Sequence, residues 1–187
     1  MSIAHRTVAE LLSGYQPRDV VESGDVARTL LLVEGADDPW SRSIPLHVTA
    51  SALIVHPPTR RVLLRWHERQ QSWLQVGGHG DPGETDPLAV ALREGREETG
   101  LADLEPWPDA ELVHVAVVPV PAKGDEPAHE HADLRFVLAT ARPGAIVPER
   151  PGAPLRWLTV PDARALTADD NVAVTLDRVD ALLHAEA

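Results

Sequence analysis

Three glutamates, Glu94, Glu97 and Glu98, crowd the last turns of a helical pattern in "GGHGDPGETDPLAVALREGREETGL", residues 77–101. Negative charge at a helix C-terminus opposes the dipole by roughly 0.3–1 kcal/mol at low salt. Glu94 and Glu98 are also like charges one turn apart, which costs a few tenths of a kcal/mol. A solvated acidic face would tolerate both penalties. A divalent cation would reverse them, and three carboxylates within two turns suit hard ions with oxygen ligands, Mg2+ or Mn2+. Gly77, Gly78, Gly80 and Gly83 precede the helix and permit sharp turns and close approach of backbone to a ligand. A carbonyl of that loop is a candidate metal ligand, and the His79 imidazole is placed to touch whatever binds there.

A second group of polar residues lies in "AHEHADLRF". Alternation along a strand puts His129, His131, Asp133 and Arg135 on one face, with Leu134 and Phe136 on the other. Those residues could wall a substrate pocket or supply a further ligand or base. Equally, they could form the wet face of a half-exposed strand.

The stretch from Gly78 to Leu101 resembles the Nudix box, in which Gly and Glu precede Arg-Glu-apolar-any-Glu-Glu-any-Gly-apolar. Gly78 and Glu84 have the family spacing, and Arg93-Glu94-Gly95-Arg96-Glu97-Glu98-Thr99-Gly100-Leu101 matches at all but one position. The departures are one extra residue between Glu84 and Arg93, and Gly95 where a larger apolar residue is usual. The insertion falls at Asp86-Pro87, ahead of the helix, where a loop absorbs it without turning the glutamate face. Gly95 lies in the buried stripe and is expected to let a strand pack close.

The resemblance implies a Mg2+- or Mn2+-dependent hydrolase that directs water at a diphosphate linkage, as in a nucleoside diphosphate joined to another group. It implies Gly78, Glu94, Glu97 and Glu98 as the metal set and Glu94 as ligand, general base or both. Arg93 and Glu84 would brace loop against helix. His79, His129, His131 and Asp133 are the candidate substrate contacts. Glu126 and Glu130 are rival sources of a carboxylate from outside the box. Two other readings share the fold. One is a nucleotide-binding protein without turnover, against which the intact glutamates argue. The other is an isoprenoid diphosphate isomerase, whose family relies on a cysteine that this chain lacks.

These residues need elements to hold them. Asp86 reads as an N-cap with Pro87 at N1, and Gly100 suits the left-handed position that ends a helix. Leu88, Ala91, Leu92, Gly95 and Thr99 recur at helical spacing as the buried stripe. Residues of about 6–14 and 18–34 read as helices, with "VARTLLLVE" the more apolar piece. "HVTASALIV" and "RRVLLRW" flank "HPPT" as a hairpin. "SWLQV", "ELVHVAVVPV", "HADLRFVLATA" and "PLRWLTV" read as further strands, and "DNVAVTLDRVDALLHA" as a closing amphipathic helix. Strands on either side of a central helix, with a late helix, indicate an α/β/α sandwich around a mixed sheet. The division expected is an N-terminal helical extension, 1–44, and a Nudix-type domain, 45–187.

Composition bounds the partners. A formal charge of −12 and a single lysine, Lys123, exclude a general nucleic-acid surface and leave a small phosphorylated molecule as the expected partner. An acidic protein needs a cation locally to accept such an anion. No apolar run is long enough to span a membrane. The first residues, "MSIAHRTVAELLSG", lack the apolar core of a signal peptide, so a cytoplasmic location is expected. A homodimer is compatible with this composition.

Overall fold

The longest strands carry the site, and their burial on both faces explains their sequence. In the computed structural model, which describes residues 6–185, β1 (Leu46–His56) is buried over nearly its whole length. Ala50, Ala52 and Ile54 face one layer, and Thr49, Ser51, Leu53 and Val55 the other. A short 3-10 turn, Pro57–Thr59, leads into β2 (Arg61–His67), which pairs antiparallel with the end of β1 as the hairpin reading expects. β1 and β2 then splay, and the chain from Ser72 to His79 fills the wedge. The strand expected at 72–76 is therefore broken at Gln75. β3 (Ser72–Leu74) pairs with β2, whereas β4 (Val76–His79) pairs with Thr49–Ala52 of β1. Gly77, Gly78 and His79 thus belong to a strand, and the true turn begins at Gly80. Glycine's weak strand preference hid this, because the ladder is made by backbone alone.

On its other edge β1 runs parallel to β7 (His129–Ala139), from Leu46 opposite Glu130 to Val55 opposite Ala139. β5 (Glu105–Pro106) and β6 (His114–Val120) pair antiparallel with β7, and β8 (Leu155–Thr159) pairs antiparallel with β2. The sheet is mixed and lies between helices. On one face α1 (Val8–Gly14) and α3 (Pro87–Thr99) share an apolar cluster with Ala52, Ile54, Phe136 and Leu138. On the other, α4 (Val160–Leu166) and α5 (Asp170–Ala185) cover Leu53, Val55, Val62 and Val137. Among the described residues no helix is long and apolar enough to cross a membrane.

α2 (Val20–Gly35) lies along β6. Its Val20, Val21 and Leu31 are exposed, and Glu22 is buried instead. The reason is the sheet edge. Glu22 accepts the N–H of Val115 at 3.1 Å and Asp25 the N–H of Val117 at 3.0 Å, both donors on the unpaired side of β6. Arg178 of α5 forks onto both oxygens of Glu22 at 2.6 and 2.8 Å, and the Tyr15 hydroxyl donates to it as well. The N-terminal helices therefore share the core of the sheet and are tied to its last helix.

Candidate active site

α3 starts where its cap demands. Asp86 accepts from Leu88 N at 3.0 Å and Ala89 N at 3.4 Å, Pro87 is the first helical residue, and Gly100 ends the helix at φ 70°. The helix is unbroken from Pro87 to Thr99, so the extra residue lies ahead of it. All five residues of the expected stripe are buried. The close contact at Gly95 is not with a strand backbone. A Cβ there would lie 2.9 Å from Leu104 Cδ1, a side chain from the turn before β5.

Arg93 ties the turn to the helix. Its Nε lies 3.2 Å from both oxygens of Glu84, and its Nη2 donates to Glu84 at 2.9 Å and to the His79 carbonyl at 2.8 Å. Nη1 donates to Glu94 at 2.9 Å and to Glu97 at 3.1 Å. One cation thus gathers three carboxylates and pins the end of β4. Hydrogen bonds from Arg93 hold the Glu84 carboxyl below its usual pKa range.

Glu98 turns inward. It accepts the Gly77 N–H at 3.2 Å, and Arg65 of β2 lies 3.2 Å from its other oxygen. Burial pushes its pKa up to about 7, although Arg65 and the Gly77 N–H act against the rise. Burial likewise raises Glu94. The Glu94 carboxylate packs directly on Gly78, where a Cβ would lie 2.6 Å from Oε1, so any larger residue there would push the carboxylate aside. Glu97 is the exposed member. The donor set is all oxygen, with the Gly78 backbone against Glu94, which fits a hard divalent cation.

A family profile described as NUDIX domain matches residues 45–178. The chain belongs to the Nudix hydrolase family. Solved structures agree on the Nudix fold. A dihydroneopterin triphosphate pyrophosphohydrolase of E. coli superposes with TM-score 0.56 at 22% identity, covering 70% of this chain and 92% of that one. An Ap4A hydrolase of C. elegans, in a binary complex, gives 0.59 at 20% identity, covering 74% and 98%. A Nudix hydrolase of M. smegmatis gives 0.52 at 23%, covering 75% and 88%. No curated protein matches the chain.

Beyond the Nudix box, β4 divides two regions. The box carboxylates lie on the α3 side, while a cleft opens on the opposite face of the sheet. Gly77, Gly78, His79, Gln75, His131 and Asp133 contribute to its lining. Glu97 and Glu98 are absent from that lining, so box and cleft meet only across the glycine strand. His129 stands outside the cleft, beside His131.

Of the two readings of the β7 face, the wet one does not hold for Asp133 and Arg135, which are buried. Asp133 is 6% exposed and accepts from Thr49 at 3.0 Å, Ser51 at 2.8 Å and Arg135 Nε at 2.8 Å. Burial acts to raise its pKa, but Arg135 and the two hydroxyls win and hold it low. Arg135 is itself anchored to Asn171 and Thr175 of α5. The strand is covered because α5 lies over this face, a packing that alternation within β7 could not reveal.

Glu126 and Glu130 are committed to Arg69 and Arg28. The carboxylate from outside the box that does come near is Glu149, joined to Glu98 through Arg65, whose Nη2 lies 3.0 Å from it. Neither Arg65 nor Glu149 carried a sequence signal. Gln75 was missed too. Its Oε1 is buried without a partner, and its amide donates to Ser51 at 3.3 Å.

Proposed function

We propose that the protein hydrolyses a diphosphate linkage in a small phosphorylated molecule of the nucleoside diphosphate–X class, with Mg2+ or Mn2+ held by Glu94, Glu97, Glu98 and the Gly78 carbonyl. One observation carries the reading. Glu94 is seated on Gly78 and Glu98 on the Gly77 N–H, which places box carboxylates against the strand that also walls the cleft. The names of two structural relatives, a dihydroneopterin triphosphate pyrophosphohydrolase and an Ap4A hydrolase, point to the same class of bond.

A bound divalent ion neutralises phosphate oxygens and acidifies a coordinated water. The residues do the rest. Arg93 and Glu84 fix the turn, so that the Gly78 carbonyl and Glu94 keep one geometry. Burial raises the Glu94 pKa, the direction that strengthens a carboxylate as proton acceptor. His79 and His131 line the cleft across β4 and would meet a part of the substrate remote from the reacting phosphates. Asp133 acts indirectly, since its oxygens already accept from Thr49, Ser51 and Arg135.

Chromatographic detection of the nucleotide products from a panel of nucleoside diphosphate derivatives and dinucleoside polyphosphates tests the proposal, with and without Mg2+. Mg2+-dependent turnover is expected, reduced on the order of a hundredfold or more in Glu97→Gln and Glu98→Gln. Binding of these compounds without turnover in Mg2+ or Mn2+ would instead support the non-catalytic reading. Near wild-type turnover of either variant at limiting Mg2+ would rule out the carboxylate site.

A further inference from the structure

Four histidines from three strands converge at one end of β1. The parallel register sets His47 opposite His131, and β4 delivers His79 beside them. The ring centroids of His47 lie 5.1 Å from His79, 5.3 Å from His129 and 5.0 Å from His131. One ring nitrogen from each of His47, His79 and His131 falls within 4.8 Å of the others.

We propose that His47, His79 and His131 form a second metal site, for a borderline transition ion of the Zn2+ type, separate from the carboxylate site across β4.

The geometry is that of ligands around a common point. A tetrahedral ion about 2.0–2.1 Å from each imidazole nitrogen needs its ligands roughly 3.3–3.4 Å apart. Nε2 of His47 and Nε2 of His79 are 3.0 Å apart. The remaining separations close by small ring rotations. The outer nitrogen of His47 is already fixed. His47 Nδ1 donates to the Ile44 carbonyl at 3.0 Å, which leaves its Nε2 lone pair facing the cluster. His129 is held in the same way by the Pro127 carbonyl at 3.0 Å, with its Nε2 3.2 Å from that of His131. His129 is therefore a reserve fourth ligand or a partner that orients His131.

The chemistry separates the two sites. Imidazole suits Zn2+ and its neighbours in the first transition row, whereas Mg2+ prefers the all-oxygen set on α3. Three protein ligands leave a fourth position for water or a ligand oxygen. His79 and His131 line the cleft, so an ion there would stand at its edge. None of its ligands comes from α3, so Zn2+ binding is read out apart from turnover, although His79 and His131 are also the substrate contacts of the proposed function.

The full chain, stripped with a chelator and dialysed, is titrated with Zn2+ by calorimetry in saturating Mg2+. One equivalent is expected to bind at micromolar affinity or tighter. Glu98→Gln should leave that binding in place, and His47→Gln, which removes a direct ligand, should weaken it by at least the roughly 10–100-fold seen when an outer-shell partner is lost. Zinc-edge X-ray absorption on the wild-type complex removes any dependence on how the variants fold. A shell of three or more imidazole nitrogens is expected. An all-oxygen shell, displacement of Zn2+ by Mg2+, or binding lost in Glu98→Gln but kept in His47→Gln would each overturn the site.

Discussion

Glu98 carries a charge that its surroundings resist, and the sign of the effect is testable. Its folded pKa, about 7, lies above the ordinary value of 4.5. The unfolded chain therefore gives up this proton more readily, and the metal-free fold loses stability as pH rises from about 4.5 to about 7. Glu98→Gln should melt higher than wild type at pH 8 in chelator and nearly level with it at pH 4. A loss larger at pH 8 than at pH 4 would show that the Arg65 and Gly77 contacts outweigh burial. At this scale the glutamate trio, Glu84 and Arg93 were legible, because they lie within a few turns of one helix and its leading turn. Arg65, Glu149 and His47 were not. They come from β2, from the loop before β8 and from β1, and meet the site only through sheet register and long side chains.

Elements were read well where their ends are chemical and poorly where they depend on neighbours. Asp86, Pro87 and Gly100 mark α3 because capping is local. β4 is a strand only because β1 offers it a ladder, and α4 had no recognised signal at all. Gly95 gives up about 1 kcal/mol of helix propensity and seats the Leu104 side chain in return. The polar face of β7 is the clearest case of a partner element deciding the outcome. With α5 over it, Asp133 is an interior counter-ion, so Asp133→Ala strands a buried Arg135 and should cost about 3–5 kcal/mol. Urea denaturation reads this directly. A loss below about 1 kcal/mol would mean that Asn171 and Thr175 suffice to hold the guanidinium.

The order of layers across the whole molecule was visible in the alternation of strand and helix patterns, but the role of the N-terminal helices was not. Nothing in "VVESGDVARTLLLVE" says that Glu22 and Asp25 face inward beside Val26 while Val20, Val21 and Leu31 face out. Burial acts to raise the Glu22 pKa, yet Arg178, Tyr15 and backbone donors bring it down to about 2 from 4.5. The stability it contributes is present above about pH 4.5 and is lost as pH falls toward 2. Glu22→Gln should be less stable at pH 7 and show a shallower acid limb in thermal melts; a limb as steep as wild type would assign that loss to other carboxylates. The same helix also determines how the protein behaves in company. Residues 45–187 expressed alone would bare the N–H row at Val115 and Val117, an open template for a strand from a second copy. Such a fragment should pass from soluble to self-propagating aggregates as its concentration rises, which light scattering would follow, whereas the full chain stays dispersed. The N-terminal segment thus acts as a cover, occupying with carboxylates the donors that a second copy would otherwise meet.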